Sequence, residues 1–276
     1  MIYATCINEQ SKYIDYDSFE IGLLQESIDM SLYLANKAII LQESFDDIKA
    51  KVKRVVDNII TFIKKLFDTV KEKISSIIQR LKTFLAIGKT KRDIVAKINN
   101  VEVCETTDLM DELIVAICSP RITIGCLSEE KLSAQEIEEK YLKEEFKHHT
   151  FKSVSEIKED QLLKYKYVTI DRTDRYFYDL ENNTSELFNL FNNIDSCKSR
   201  VVRTVETTYK YIVSSHDPET MNNLLLDLKV RSACYGKLCN LFMSAAVKYI
   251  SNSNKIINMI NSYLKDDNTK KKKRRK

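Results

Sequence analysis

The sequence predicts a mainly α protein: a long amphipathic helix and a C-terminal helical hairpin, with a small β-containing (α+β) insert between them. Three observations carry this. The 276 residues include only 4 Gly and 2 Pro, where average usage of about 7% and 5% would supply roughly 19 and 14. Apolar residues recur at steps of three and four over long stretches, the period of a helix with one buried face. The middle of the chain departs from that period and holds β-branched runs around one of the two prolines.

The elements follow in chain order. Residues 1–44 form an N-terminal segment in which Ile21, Leu24, Ile28, Leu32, Leu34, Ala38 and Leu41 step helically. It contains a short repeat, Leu24-Gln-Glu-Ser27 and Leu41-Gln-Glu-Ser44. Residues 45–88 carry the strongest pattern: Phe45, Ile48, Val52, Val55, Ile59, Phe62, Leu66, Val70, Ile74, Ile77, Leu81 and Phe84. Ile60, Ile63, Phe67, Ile78 and Leu85 widen that stripe, which suits packing against several neighbours better than a two-stranded coiled coil. Gly88 is the expected C-cap, with a linker over 89–92.

Residues 101–172 form the α+β region. Glu112 to Cys118 and Ile122 to Leu127, around Ser119-Pro120-Arg121, read as a hairpin. An acidic helix over Ser133 to His148 follows, opened by the capping-box pair Ser133 and Glu136. Tyr165 to Ile170 alternates as a short strand would. The hairpin of long helices occupies 173–265, its arms running from Asp174 to about Ser214 and from Pro218 to Leu264. Pro218 stands at a favoured first helical position. Gly236, inside the second arm, marks close packing or a bend. Residues 266–276 read as a disordered basic tail.

Charge is unevenly distributed around a net +4. Residues 46–92 hold thirteen Lys/Arg against five Asp/Glu, and residues 101–170 nine against fifteen. The last seven residues, Lys270, Lys271, Lys272, Lys273, Arg274, Arg275 and Lys276, are all basic, a candidate for non-specific nucleic-acid contact or nuclear addressing. On the long helix, Lys53, Arg54, Lys64, Lys65, Lys71 and Lys73 are candidates for contact with a membrane surface or another acidic partner.

Enzymatic classes find little footing. Four isolated glycines leave no phosphate cradle, and there is no GxSxG elbow. Glu144, Glu145, His148 and His149 offer two Glu/His pairs at i,i+4, but no third ligand stands out, so no metal or other cofactor is expected. Seven scattered cysteines without a CxxC pair read as buried free thiols in a reducing compartment. The N-terminus lacks the basic and apolar regions of a secretory signal. The most apolar stretch, Leu113 to Leu127, is cut by Pro120 and Arg121, so no spanning helix is expected.

Residues 18–87 resemble the virion-associated and internal head proteins of large tailed bacteriophages. The likeness rests on Leu23-Leu-Gln-Glu-Ser27, on Leu41-Gln-Glu-Ser-Phe45 and on the Lys/Ile/Phe-rich helix from Ile48 to Phe67. Maturation proteases of such heads favour Leu/Ile-x-Glu before a small residue. The resemblance therefore implies candidate processing sites at Glu26/Ser27 and Glu43/Ser44.

The expectation is a non-enzymatic structural or internal virion protein, found in the virion or the host cytoplasm, with no small-molecule substrate. Its partners would be other virion proteins, further copies of itself and packaged DNA. A different class is a membrane-surface or host-directed effector using the 45–87 helix. A third is a nuclear or DNA-associated regulator addressed by the tail.

Overall fold

A computed structural model describes residues 22–38, 44–90, 98, 100–168, 170–215 and 217–273. The chain is mainly helical, with one small antiparallel sheet among the described residues. Helix α1 covers 22–38. Then come α2 (Phe45–Thr90), β1 (Val101–Thr106), α3 (Asp108–Cys118), α4 (Ala134–Glu145), the single-turn α5 (Glu159–Leu162), β2 (Leu163–Val168), α6 (Ile170–Ser214) and α7 (Pro218–Lys273).

The long helices fall where the periodicity places them, with shifted ends. Thr90 closes α2, so Gly88 lies within the helix and is not its C-cap. α6 begins four residues before Asp174. Asp217 opens α7: its Oδ2 accepts from the Thr220 amide at 2.8 Å, and Pro218 takes the first helical position. α7 then continues through Lys273. Residues 266–273 are thus helical where a disordered tail was expected, because Asp266 to Lys273 contains neither Gly nor Pro to stop a helix. Arg274, Arg275 and Lys276 lie outside the described residues.

The expected hairpin over 112–127 is not formed. Asp108–Cys118 is a helix and Ile124–Cys126 a single 3₁₀ turn. Leu109, Met110, Leu113, Ala116 and Ile117 are buried while Val115 is 66% exposed, a helical stripe that a strand could not produce. Thr107 opens the helix, its carbonyl accepting from the Met110 amide at 2.9 Å. Asp108 and Asp111 stand in the first turn, where the helix dipole favours acids. The sheet instead pairs β1 with β2, from Val101 opposite Val168 to Thr106 opposite Leu163. β2 lies two residues before the expected Tyr165–Ile170. Glu105 and Lys166, diagonal neighbours in this register, form an ion pair across it.

The chain divides into two compact units, each assembled from three segments. One comprises Met1–Val70, Leu113–Ile157 and Asp195–Cys239; the other comprises Lys71–Glu112, Lys158–Ile194 and Asn240–Lys276. α2, α6 and α7 each contribute residues to both units. In the first unit, the α2 residues Val52, Val55, Ile59, Phe62, Ile63 and Leu66 are at most 1% exposed. Asn58 of α2 donates to the Ser31 hydroxyl of α1 at 2.7 Å, and Lys229 of α7 pairs with Asp29 of α1 at 2.7 Å. In the second unit the sheet is bordered by α7, whose Asn252 donates to the Glu102 carbonyl at 3.3 Å. Lys248 of the same helix pairs with Glu159 at 3.5 Å.

Candidate functional site

The polar centre of the first unit is Arg231 on α7. Its side chain is 0% exposed, and all five guanidinium N–H donors are engaged. Nε donates to Asp227 Oδ1 at 2.7 Å, one turn away. Nη1 donates to Glu144 Oε2 at 2.8 Å and to the Arg121 carbonyl at 2.9 Å. Nη2 donates to the Cys126 carbonyl at 2.8 Å and to Glu144 Oε1 at 3.4 Å. Burial works against the guanidinium charge, but the bonds and charges of Glu144 and Asp227 outweigh it and hold its pKa above the ordinary arginine value. The Tyr141 ring faces it, 5.7 Å from centroid to guanidinium carbon.

These bonds hold down the irregular stretch from Ser119 to Ser133, whose backbone groups must find partners outside a ladder. Asp227 Oδ2 accepts from the Ser128 amide at 2.8 Å. Asn223 donates to the Glu129 carbonyl at 2.9 Å, and the Tyr211 hydroxyl to Glu129 Oε1 at 2.5 Å. Arg200 donates to the Cys118 carbonyl at 2.9 Å. Sequence reasoning missed this centre. Its signal was present: Asp227 and Arg231, opposite charges at i,i+4, interrupt the apolar stripe Leu224, Leu228, Tyr235, Leu238.

Beside it, the Arg121 amide donates to Glu145 Oε1 at 2.6 Å. Burial pushes the Glu145 carboxyl up to about 7, against the lowering effect of that amide and of the Arg121 charge. The Tyr141 hydroxyl, wholly buried, sits near this carboxyl but makes no bond of good geometry among the described residues. A carboxyl whose folded pKa lies above its unfolded value near 4.5 binds protons preferentially in the folded state. Its contribution is therefore present at low pH and lost as pH rises from about 4.5 through about 7. Glu145→Gln keeps an acceptor for the Arg121 amide and should be the more stable protein at pH 8, by on the order of 1–3 kcal/mol. Urea unfolding of both proteins at a series of pH values checks this; parallel profiles would refute it.

Glu144, Glu145, His148 and His149 do not share one helix face. α4 ends at Glu145 with Phe146 as its C-cap, before the histidines. Glu144 is held by Arg231, and His149 stacks on Phe151 at 5.6 Å. Among the described residues no group of three or more His, Cys, Asp or Glu is placed to hold a metal ion. The six described cysteines are free. Burial pushes the thiols of Cys118 and Cys234 up to about 12 and that of Cys239 higher still, which disfavours the reactive thiolate.

The candidate basic face of α2 carries mixed charge. Among its described side chains the exposed charged positions are Lys53, Arg54, Lys64 and Lys82 against Asp46, Asp47, Asp57, Asp68 and Glu72. Lys53 pairs with Asp57 at 3.1 Å, and Asp68 takes Lys198 of α6 at 2.5 Å. Lys65, Lys71 and Lys73 are half-buried and have partners. Arg54 and Lys64 are exposed and unpaired among the described residues. The apolar stripe of α2, from Ile48 to Ile78, is covered in the folded chain, so it offers no face to a bilayer interface. Among the described residues no helix is long and apolar enough to cross a membrane.

The candidate processing sites differ in setting. Glu26 and Ser27 are exposed but lie within α1, and the Ser27 carbonyl accepts from Asn58 at 3.3 Å. Ser44 precedes α2, its hydroxyl accepting from the Asp47 amide at 3.3 Å; Glu43 lies outside the described residues. In the basic tail, Lys270 to Lys273 occupy the last turn of α7, where the helix dipole favours cations. Compared with known protein families, curated proteins and solved structures, the chain matches none.

Proposed function

We propose that the protein is a non-enzymatic structural component of a bacteriophage virion, acting by helix packing and contacting packaged DNA through Lys270–Lys276. The observation that carries the non-enzymatic reading is the Arg231 centre. Its five donors end on two carboxylates and two backbone carbonyls of the same chain, leaving none for a substrate. The resemblance of residues 18–87 to phage head proteins supports the virion assignment. The run of four lysines on the end of a 56-residue helix supports an acidic partner.

Mass spectrometry of purified virions should find the chain. If it is processed, the new N-terminus should be Ser44, because proteases bind extended substrate and Ser27 is inside a packed helix. Presence in infected cells but not in virions would refute the assignment. Deleting Lys270–Lys276 should flatten the plot of log affinity for DNA against log salt, by about 0.9 for each phosphate that the shortened chain no longer neutralises. An unchanged slope would remove the tail from the proposal.

A further inference from the structure

α1 presents two contrasting faces. Ile28, Ser31, Leu32, Ala35 and Ala38 are buried. The other side carries Glu26, Met30, Tyr33 and Lys37, all exposed, at steps of four, three and four. That spacing keeps them on one narrow stripe. Met30 is 62% exposed and Tyr33 61%, so the stripe has an apolar centre. Its ends are oppositely charged, and neither Glu26 nor Lys37 makes an ion pair among the described residues.

We propose that this stripe is a self-association surface, on which α1 of a second copy packs antiparallel about a two-fold axis between Met30 and Tyr33. The order acid, apolar, aromatic, base is self-complementary only in that direction. Glu26 then meets Lys37 of the second copy, and Met30 meets its Tyr33, a favourable thioether–aromatic contact. The two-fold axis makes each contact twice. A parallel pairing would set Glu26 against Glu26 and Lys37 against Lys37, so like charges oppose it. Two apolar side chains per copy are few beside the roughly 20–30 residues a side of a standard interface, which makes the dimer weak and concentration-dependent. The inference holds whether or not the chain is packaged in a virion.

Sedimentation equilibrium of the full chain, across the micromolar to millimolar range, tests it. The wild-type chain should dimerise. Glu26→Lys and Lys37→Glu should each weaken the dimer by about tenfold or more, since both pairs become repulsive. Because the side chains are exposed, circular dichroism and thermal unfolding should stay unchanged. Mixing the two single variants should give a one-to-one heterodimer, and the double variant should dimerise as the wild type does. A wild-type chain that stays monomeric throughout, or single variants that dimerise undiminished, would overturn the proposal. So would a mixture or a double variant that fails to recover association.

Discussion

Replacing Arg231 with methionine is expected to destabilise the protein by about 3–5 kcal/mol, the largest effect of any single polar substitution in the first unit. The loss is not that of one ion pair. Methionine fills much of the volume but leaves Asp227, 1% exposed, as a buried carboxylate whose remaining bond is to the Ser128 amide. It also strips the Arg121 and Cys126 carbonyls of their donor. Arg231→Lys should recover only part of the loss, because an ammonium cannot span two carboxylates and two carbonyls from one planar fork. Adding Asp227→Leu to Arg231→Met removes the stranded charge and should restore some stability. The urea midpoints of the two single variants and the double variant check this. A double variant no more stable than Arg231→Met would show that the buried charge is not what costs.

Phe62→Ala is expected to cost about 3–5 kcal/mol, and to reverse the sign of a second substitution at Gly236. The Phe62 ring is 0% exposed, and it lies against the α7 backbone at Gly236. A Cβ added there would stand 2.5 Å from its Cζ and 3.3 Å from its Cε1. In the wild-type protein, Gly236→Ala gains about 1 kcal/mol of helix propensity but overpacks a filled core at about 1–3 kcal/mol, so it should be mildly destabilising. With Phe62 truncated the clash is gone. Gly236→Ala should then stabilise by about 1 kcal/mol, from propensity and partial filling of the cavity. A double-mutant cycle measured by thermal unfolding reads the coupling; additive values would mean that ring and backbone do not meet.

Several features were legible because a local signal and a tertiary contact agree. The stripe of α2 is buried from Ile48 to Ile78, as its three-and-four spacing requires. Ser133 and Glu136 form the reciprocal cap that their own spacing encodes, with bonds of 3.3 and 2.7 Å. Pro218 and Gly236 mark a helix start and a close approach. The stretch 112–127 was misread because a short run such as Leu113 to Cys118 suits a buried strand or a helix almost equally by composition. Burial of Leu113, Ala116 and Ile117 with Val115 outside decides for helix. The setting of the basic residues of α2 was not legible for a related reason. A residue count does not register that half of those cations lie partly buried beside partners, while acids are exposed on the same helix.

The sequence by itself determined the helical class, the starts of the long helices within a few residues, and Pro218 as the opening of α7. These depend on repeats of three and four and on Gly, Pro and cap residues, all read within a turn or two. Only the tertiary structure decided which charges are interior. Arg231 finds Glu144 and Arg121 from 87 and 110 positions away, and no local period encodes such distances. It also decided that one helix serves two cores, and that α1 keeps an apolar stripe outward. A helix's pattern states that a face must be covered; the packing of the rest of the chain determines which face is covered and which is left for a partner.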